Sequence, residues 1–109
     1  MAYNEMLADR VRLILADQPK ITERKMFGGL AFMLRGNMCC GIVGDELMVR
    51  VGPNQYNFAL GQPHAREMHF TGRPMKGMVM VAVPGLETDR DLAEWVQRGV
   101  QFTTTLPAK

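Results

Sequence analysis

Leu7, Val11, Ile14 and Leu15 recur at helical spacing along NEMLADRVRLILADQP, so the chain is predicted to begin with a helix bearing one apolar stripe. Asn4 stands where a cap belongs, Glu5 falls in the positive first turn, and Pro19 is expected to end the helix. The period then changes to two. ITERKMF runs up to Gly28 and Gly29, and LAFMLR sets Leu30, Phe32 and Leu34 against Ala31, Met33 and Arg35. Gly36-Asn37 predicts a two-residue hairpin turn, because both residues tolerate positive φ. MCCGIV follows, then a turn at Gly44-Asp45, then ELMVRV with Leu47, Val49 and Val51 opposed to Met48 and Arg50. Short alternating runs divided by turn residues predict an antiparallel meander.

Pro53 and Gly61 bracket a short helical pattern carried by Tyr56, Ala59 and Leu60. HAREMHFTGRPMKG has no clear period, although a small strand near Met68 is compatible with it. MVMVAV is nearly continuous in apolar character, which suits a strand inside a sheet. Thr88 with Asp91 three residues on resembles a capping box, and Leu92, Trp95, Val96, Gly99 and Phe102 supply the stripe of a last helix that Pro107 stops. The predicted order is α-β-β-β-β-α-β-α. Early strands flanked by helices predict an α+β fold of two layers, an antiparallel sheet flanked by helices, in a single domain over residues 1–109.

A length of 109 residues allows a core without disulfide or metal support. No apolar run reaches the roughly 18 residues of a membrane span. The first residues lack the pattern of a secretory signal, so the expected location is cytoplasmic, where cysteines stay reduced. The net charge of +2 is too small to announce a nucleic-acid partner. It is uneven, however. Between Arg24 and Lys76 seven basic residues (Arg24, Lys25, Arg35, Arg50, Arg66, Arg73, Lys76) face three acidic ones (Asp45, Glu46, Glu67), a local balance of +4.

Cys39 and Cys40 are neighbours on a predicted strand, which should point them to opposite faces. On that geometry they share no metal and form no easy disulfide, and they read as strand residues. His64 and His69 stand apart with no ligand spacing. TGRPMKG, residues 71–77, is the most suggestive segment: two glycines bracket Arg73 and Lys76, as an anion-binding loop would require, although the order is not that of a P-loop. PHARE adds His64 and Arg66. The candidate anion- or nucleic-acid-binding residues are therefore Arg24, Lys25, His64, Arg66, Arg73 and Lys76. No catalytic arrangement can be argued from spacing, and neither a metal nor a cofactor is expected. KMFGG reads as a turn or bulge, because no helix follows it to hold a phosphate. The ten methionines are dispersed along the chain and read as flexible core filling, some of them candidates for an adaptable partner-binding face.

RKMFGGLAFMLRGNMCCG, residues 24–41, resembles the N-terminal domain of the TfoX/Sxy family. The matching positions are Arg24, Lys25, Met26, Phe27, Gly28, Gly29, Phe32, Met33, Gly36 and Met38. The later PHAREMHFTGRPMKG and LAEW…FTTTLPAK look like a short, stand-alone subgroup, so the likeness spans nearly the whole chain. The resemblance implies an α/β two-layer fold similar to type III secretion chaperones. It also implies a link to regulators of competence-gene transcription that act with the cyclic-AMP receptor protein and carry a second, helical domain. It implies no catalytic residue.

Three functions follow as expectations. The first is a non-enzymatic regulatory module with a protein partner in the transcription machinery or with nucleic acid. The second is a binder of a small phosphorylated ligand or other anion through residues 71–77. The third is a structural homodimer with partner-binding faces.

Overall fold

A computed structural model describes residues 3–26, 28–70 and 72–109, the side chains of Phe70, Arg73 and Pro74 excepted. Helix α1 (Glu5–Ile14) opens the chain, and the Asn4 side chain accepts a hydrogen bond from the Leu7 N–H, satisfying one of its free donors. The helix ends at Leu15, before Pro19 is reached; Leu7, Ala8 and Val11 form its buried face. Strands β1 (Ile21–Met26), β2 (Gly29–Leu34), β3 (Asn37–Val43) and β4 (Glu46–Arg50) then build the expected meander. Helix α2 (Tyr56–Leu60) follows, then β5 (Ala65–Phe70), β6 (Arg73–Val81), a short 3-10 turn (Val83–Leu86) and helix α3 (Asp89–Thr103). Thr88 caps α3 by accepting from the Asp91 N–H at 3.0 Å.

The six strands form one antiparallel sheet in the order β1-β2-β3-β4-β6-β5. The fold is therefore α+β, as expected. The segment without a clear period resolves into the full strand β5, which among the described residues pairs with β6 alone and forms one edge; β1 forms the other. MVMVAV falls mainly on β6, between β4 and β5, where its apolar character suits an interior position.

Alternation divides the strand residues into two sets. Leu30, Phe32, Leu34, Ile42, Leu47, Val49, Val51, Val79 and Val81 join α1, α2 and α3 in one core, with Val96 and Leu92 wholly buried. The other set holds Met48, Met68, Met78 and Met80, with Met38, Val43 and Met75 packed against them. Among the described residues no helix contributes to this second cluster. It forms the helix-free face of the sheet.

Two sequence expectations shift here. The β2–β3 turn is Arg35-Gly36, with φ of 53° and 86°, not Gly36-Asn37. Asn37 is drawn into β3 because its buried Nδ2 donates to the Pro107 carbonyl at 2.8 Å. Arg35 holds the left-handed position under three constraints: its N–H donates to Lys20 O, its carbonyl accepts from the Lys109 N–H, and its guanidinium donates to Leu106 O. The second shift concerns the cysteines. Phe32 pairs with Cys40 while Met33 pairs with Met38, which leaves Cys39 as the extra residue of a β-bulge. Both cysteines are consequently fully buried in the helix-side core, on one face rather than two.

Candidate functional site

The candidate basic residues occupy separate places. Arg24 and Lys25 are successive residues of edge strand β1, so their side chains leave opposite faces of the sheet. Arg66 stands on β5, at the far edge, and makes a bidentate pair with Glu46 of β4. That pair holds the Arg66 guanidinium above its ordinary value, through hydrogen bonding to Glu46 first. His64 has a φ of 67° and lines a separate hollow on the helix side with Asp91, Glu94, Trp95 and Arg98. Arg98 itself lies over the Trp95 ring at 4.3 Å and the Phe58 ring at 5.9 Å. The structure thus brings Arg24, Lys25, Arg66 and His64 to no common point.

Residues 72–77 form a hairpin turn and a strand rather than a loop. Gly72 turns the chain with a φ of 80°, and Arg73 already begins β6. Thr71, like Phe27 of the early glycine-rich motif, lies outside the described residues, as does the Arg73 side chain. Gly77, with a φ of 91°, kinks the strand so that its carbonyl accepts from the Val51 and Gly52 N–H groups at 2.8 and 3.1 Å. The glycine presents an oxygen at this point, not the converging amides that an anion cradle needs.

Lys76 does enter a concave site. A cleft of about 350 Å³ opens where β3 begins, β4 ends and the α3 C-terminus passes. Met38, Met75, Met78 and Phe102 give it apolar walls, and Arg50 and Lys76 give it charge. No acidic residue is among its described lining. Its geometry depends on Gly52, whose φ is 83° and against which Phe102 lies so closely that a Cβ there would meet the ring at 2.3 Å. Phe102 in turn carries the Arg50 guanidinium 5.4 Å above its ring, and Arg50 Nη1 donates weakly to Met38 O at 3.5 Å. The cation is therefore positioned by a ring and a carbonyl, with its positive charge left without an anionic partner among the described residues.

The cleft continues into the methionines of the helix-free face. Met38 and Met75 belong to both the cleft lining and the second cluster. Six of the ten methionines gather there from four strands. Their apparent dispersal in sequence is an effect of strand order. Arg50 was absent from the candidate residues because its partners, Phe102 and Met38, are 52 and 12 positions away. The signal available in sequence was Met48 beside Arg50 and the alternation of Met78 with Met80, which place one chemistry on one face.

The two thiols offer no open reactive group. Cys40 is pushed well above the ordinary thiol value, first by hydrogen bonding with the adjacent Cys39 sulfur and then by burial. Among the described residues no group of three or more His, Cys, Asp or Glu side chains is placed to hold a metal ion, and no helix is long and apolar enough to cross a membrane.

The TfoX N-terminal domain family matches residues 14–103, most of the chain. No curated protein matches it.

Proposed function

This chain belongs to the TfoX N-terminal domain family, and from that premise we propose that it regulates transcription through contact with a protein partner. Membership supports a non-enzymatic regulatory or interaction module. The observation that carries the finer reading is the cleft at the end of the helix-free face, which joins methionine and phenylalanine walls to two cations. Methionine side chains are unbranched and polarizable, and they adapt to a partner's shape at little cost. Duplex DNA, by contrast, is held by a run of cations tracking its phosphates. Arg24, Lys25, Arg66 and His64 make no such run, and Arg66 is already engaged by Glu46.

The test is photo-crosslinking in cells from a reactive side chain placed at Pro53, on the rim of the cleft, beside one placed at Gln97 of α3. A discrete protein adduct from Pro53 that is missing from Gln97 supports the reading. Salt-sensitive binding of a labelled DNA duplex that persists at physiological ionic strength, with no protein adduct at either position, overturns it.

A further inference from the structure

The cleft's chemistry narrows the partner. We propose that it docks an acidic segment of another protein carrying apolar side chains, with carboxylates meeting Arg50 and Lys76 and an apolar side chain seated among Met38, Met75, Met78 and Phe102; this rests on the protein-contact reading above.

Charge complementarity selects the sign. The described lining holds two cations and no acid, so a bound segment gains from negative charge and is opposed by positive charge. Arg50 is pre-positioned on the Phe102 ring, which lowers the ordering cost of meeting a carboxylate. Lys76 is exposed on β6, where its flexible stem follows a partner that approaches from solvent.

The apolar walls select the rest of the ligand. A free phosphate would use the two cations and leave the methionines and Phe102 without a role. It would also meet the kinked backbone of Gly77, whose carbonyl is directed to Val51 and Gly52 rather than its amide to an anion. A duplex is too wide for a hollow of about 350 Å³, whereas one or two side chains of a peptide suit that volume. Beyond the hollow, Met48, Met68 and Met80 are buried, at 1%, 6% and 7% exposure, so the docking contact is confined to the cleft itself.

The experiment uses the full chain labelled with ¹³C at its methionine methyls, which places reporters in the cleft and, through the exposed Met6 of α1, away from it. Three probes are titrated: a ten-residue peptide alternating Asp and Leu, its counterpart with Lys for Asp, and its counterpart with Ser for Leu. Inorganic phosphate alone is the fourth. The Asp-Leu peptide is expected to move the Met38, Met75 and Met78 methyls and leave Met6 still, with the Lys and Ser counterparts weaker by about tenfold or more. Lys76→Glu, on an exposed side chain, is expected to weaken the same binding by several-fold while the spectrum stays native. Arg50→Glu adds to that loss if its fold survives.

Equal shifts with the Lys peptide, or shifts confined to Met6, overturn the proposal. So do equal shifts with phosphate alone, which would make the cleft a plain anion site. If all four probes leave the cleft methyls unmoved while Pro53 still crosslinks a protein, the acidic-segment proposal fails and the protein-contact reading survives. If neither is seen, both fail.

Discussion

Gly99 of α3 lies directly against Cys39: a Cβ built at position 99 would stand 2.6 Å from the Cys39 carbonyl oxygen and 3.1 Å from its sulfur. The bulge in β3 and the missing side chain in α3 are thus two halves of one contact. In an open helix, alanine at this position would be favoured over glycine by about 1 kcal/mol. Here the extra methyl must push α3 off the sheet, so Gly99→Ala is expected to cost about 1–3 kcal/mol. Urea denaturation measures it, and a midpoint that stays or rises would show that the helix has room to move.

Gly52→Ala is expected to be at least as damaging, for two reasons that can be separated. Its φ of 83° disfavours any Cβ, and that Cβ would run into Phe102. The single change should cost about 2–3 kcal/mol, and Phe102→Ala should remove the clash but not the backbone strain. A double-mutant cycle then gives a favourable coupling of about 1 kcal/mol or more. Additive losses would mean the ring does not rest on the glycine.

The Arg12–Glu23 pair joins α1 to the outermost strand with N–H···O distances of 2.7 and 2.8 Å. Hydrogen bonding to Arg12 holds the Glu23 carboxyl below its ordinary value. A carboxyl lowered on folding stabilises above its unfolded pKa, and the contribution is lost as pH falls through the folded value. Both side chains are more than a third exposed or close to it, so the effect is held to about 0.5–1 kcal/mol. Arg12→Gln should be that much less stable at pH 7 and indistinguishable from the parent once Glu23 is protonated. A difference that persists unchanged at pH 2.5 would remove the ion pair as its cause.

Asn37→Ala should release the last residues of the chain. The Asn37 amide binds Pro107 O, and the Lys109 N–H binds Arg35 O at 2.9 Å on the same turn. Losing the buried amide leaves a carbonyl without its partner, a cost of about 1–2 kcal/mol. Hydrogen exchange at Lys109 is the direct readout. Protection that is unchanged in the variant would show that the turn holds the tail without Asn37.

The two cysteines should be silent in the native protein. Both are fully buried, so a thiol reagent at pH 8 is expected to react only as fast as the fold opens, and to modify both at once in urea. Rapid native labelling of either thiol would contradict their position under α3.

Much of this fold is legible in the order of side chains. The period of α1, the capping pattern at Thr88 and the alternation of β2 and β4 each report a local choice, and each stands in the structure. What escaped the sequence depends on contacts between distant segments. Asn37 looked like a turn residue until Pro107 claimed its amide, and the bulge that turns Cys39 inward leaves no mark of composition. The candidate cleft was legible only in fragments. Lys76 was singled out for the wrong backbone, a loop in place of a strand, and Arg50 escaped because its positioning ring comes from α3.

The two ends of the sheet carry a separate consequence. Strand β1 exposes Thr22, Glu23, Arg24 and Lys25 in succession, and β5 exposes Arg66, Glu67 and His69 around an irregularity in its pairing. Such rims discourage a foreign strand from adding itself to the sheet, because its arrival would desolvate charge and meet a bent backbone. Growth from edge to edge, the route to fibres, is thereby resisted on both sides. Pairing through the repetitive main-chain hydrogen bonds that any sequence can supply is thus disfavoured at both seams.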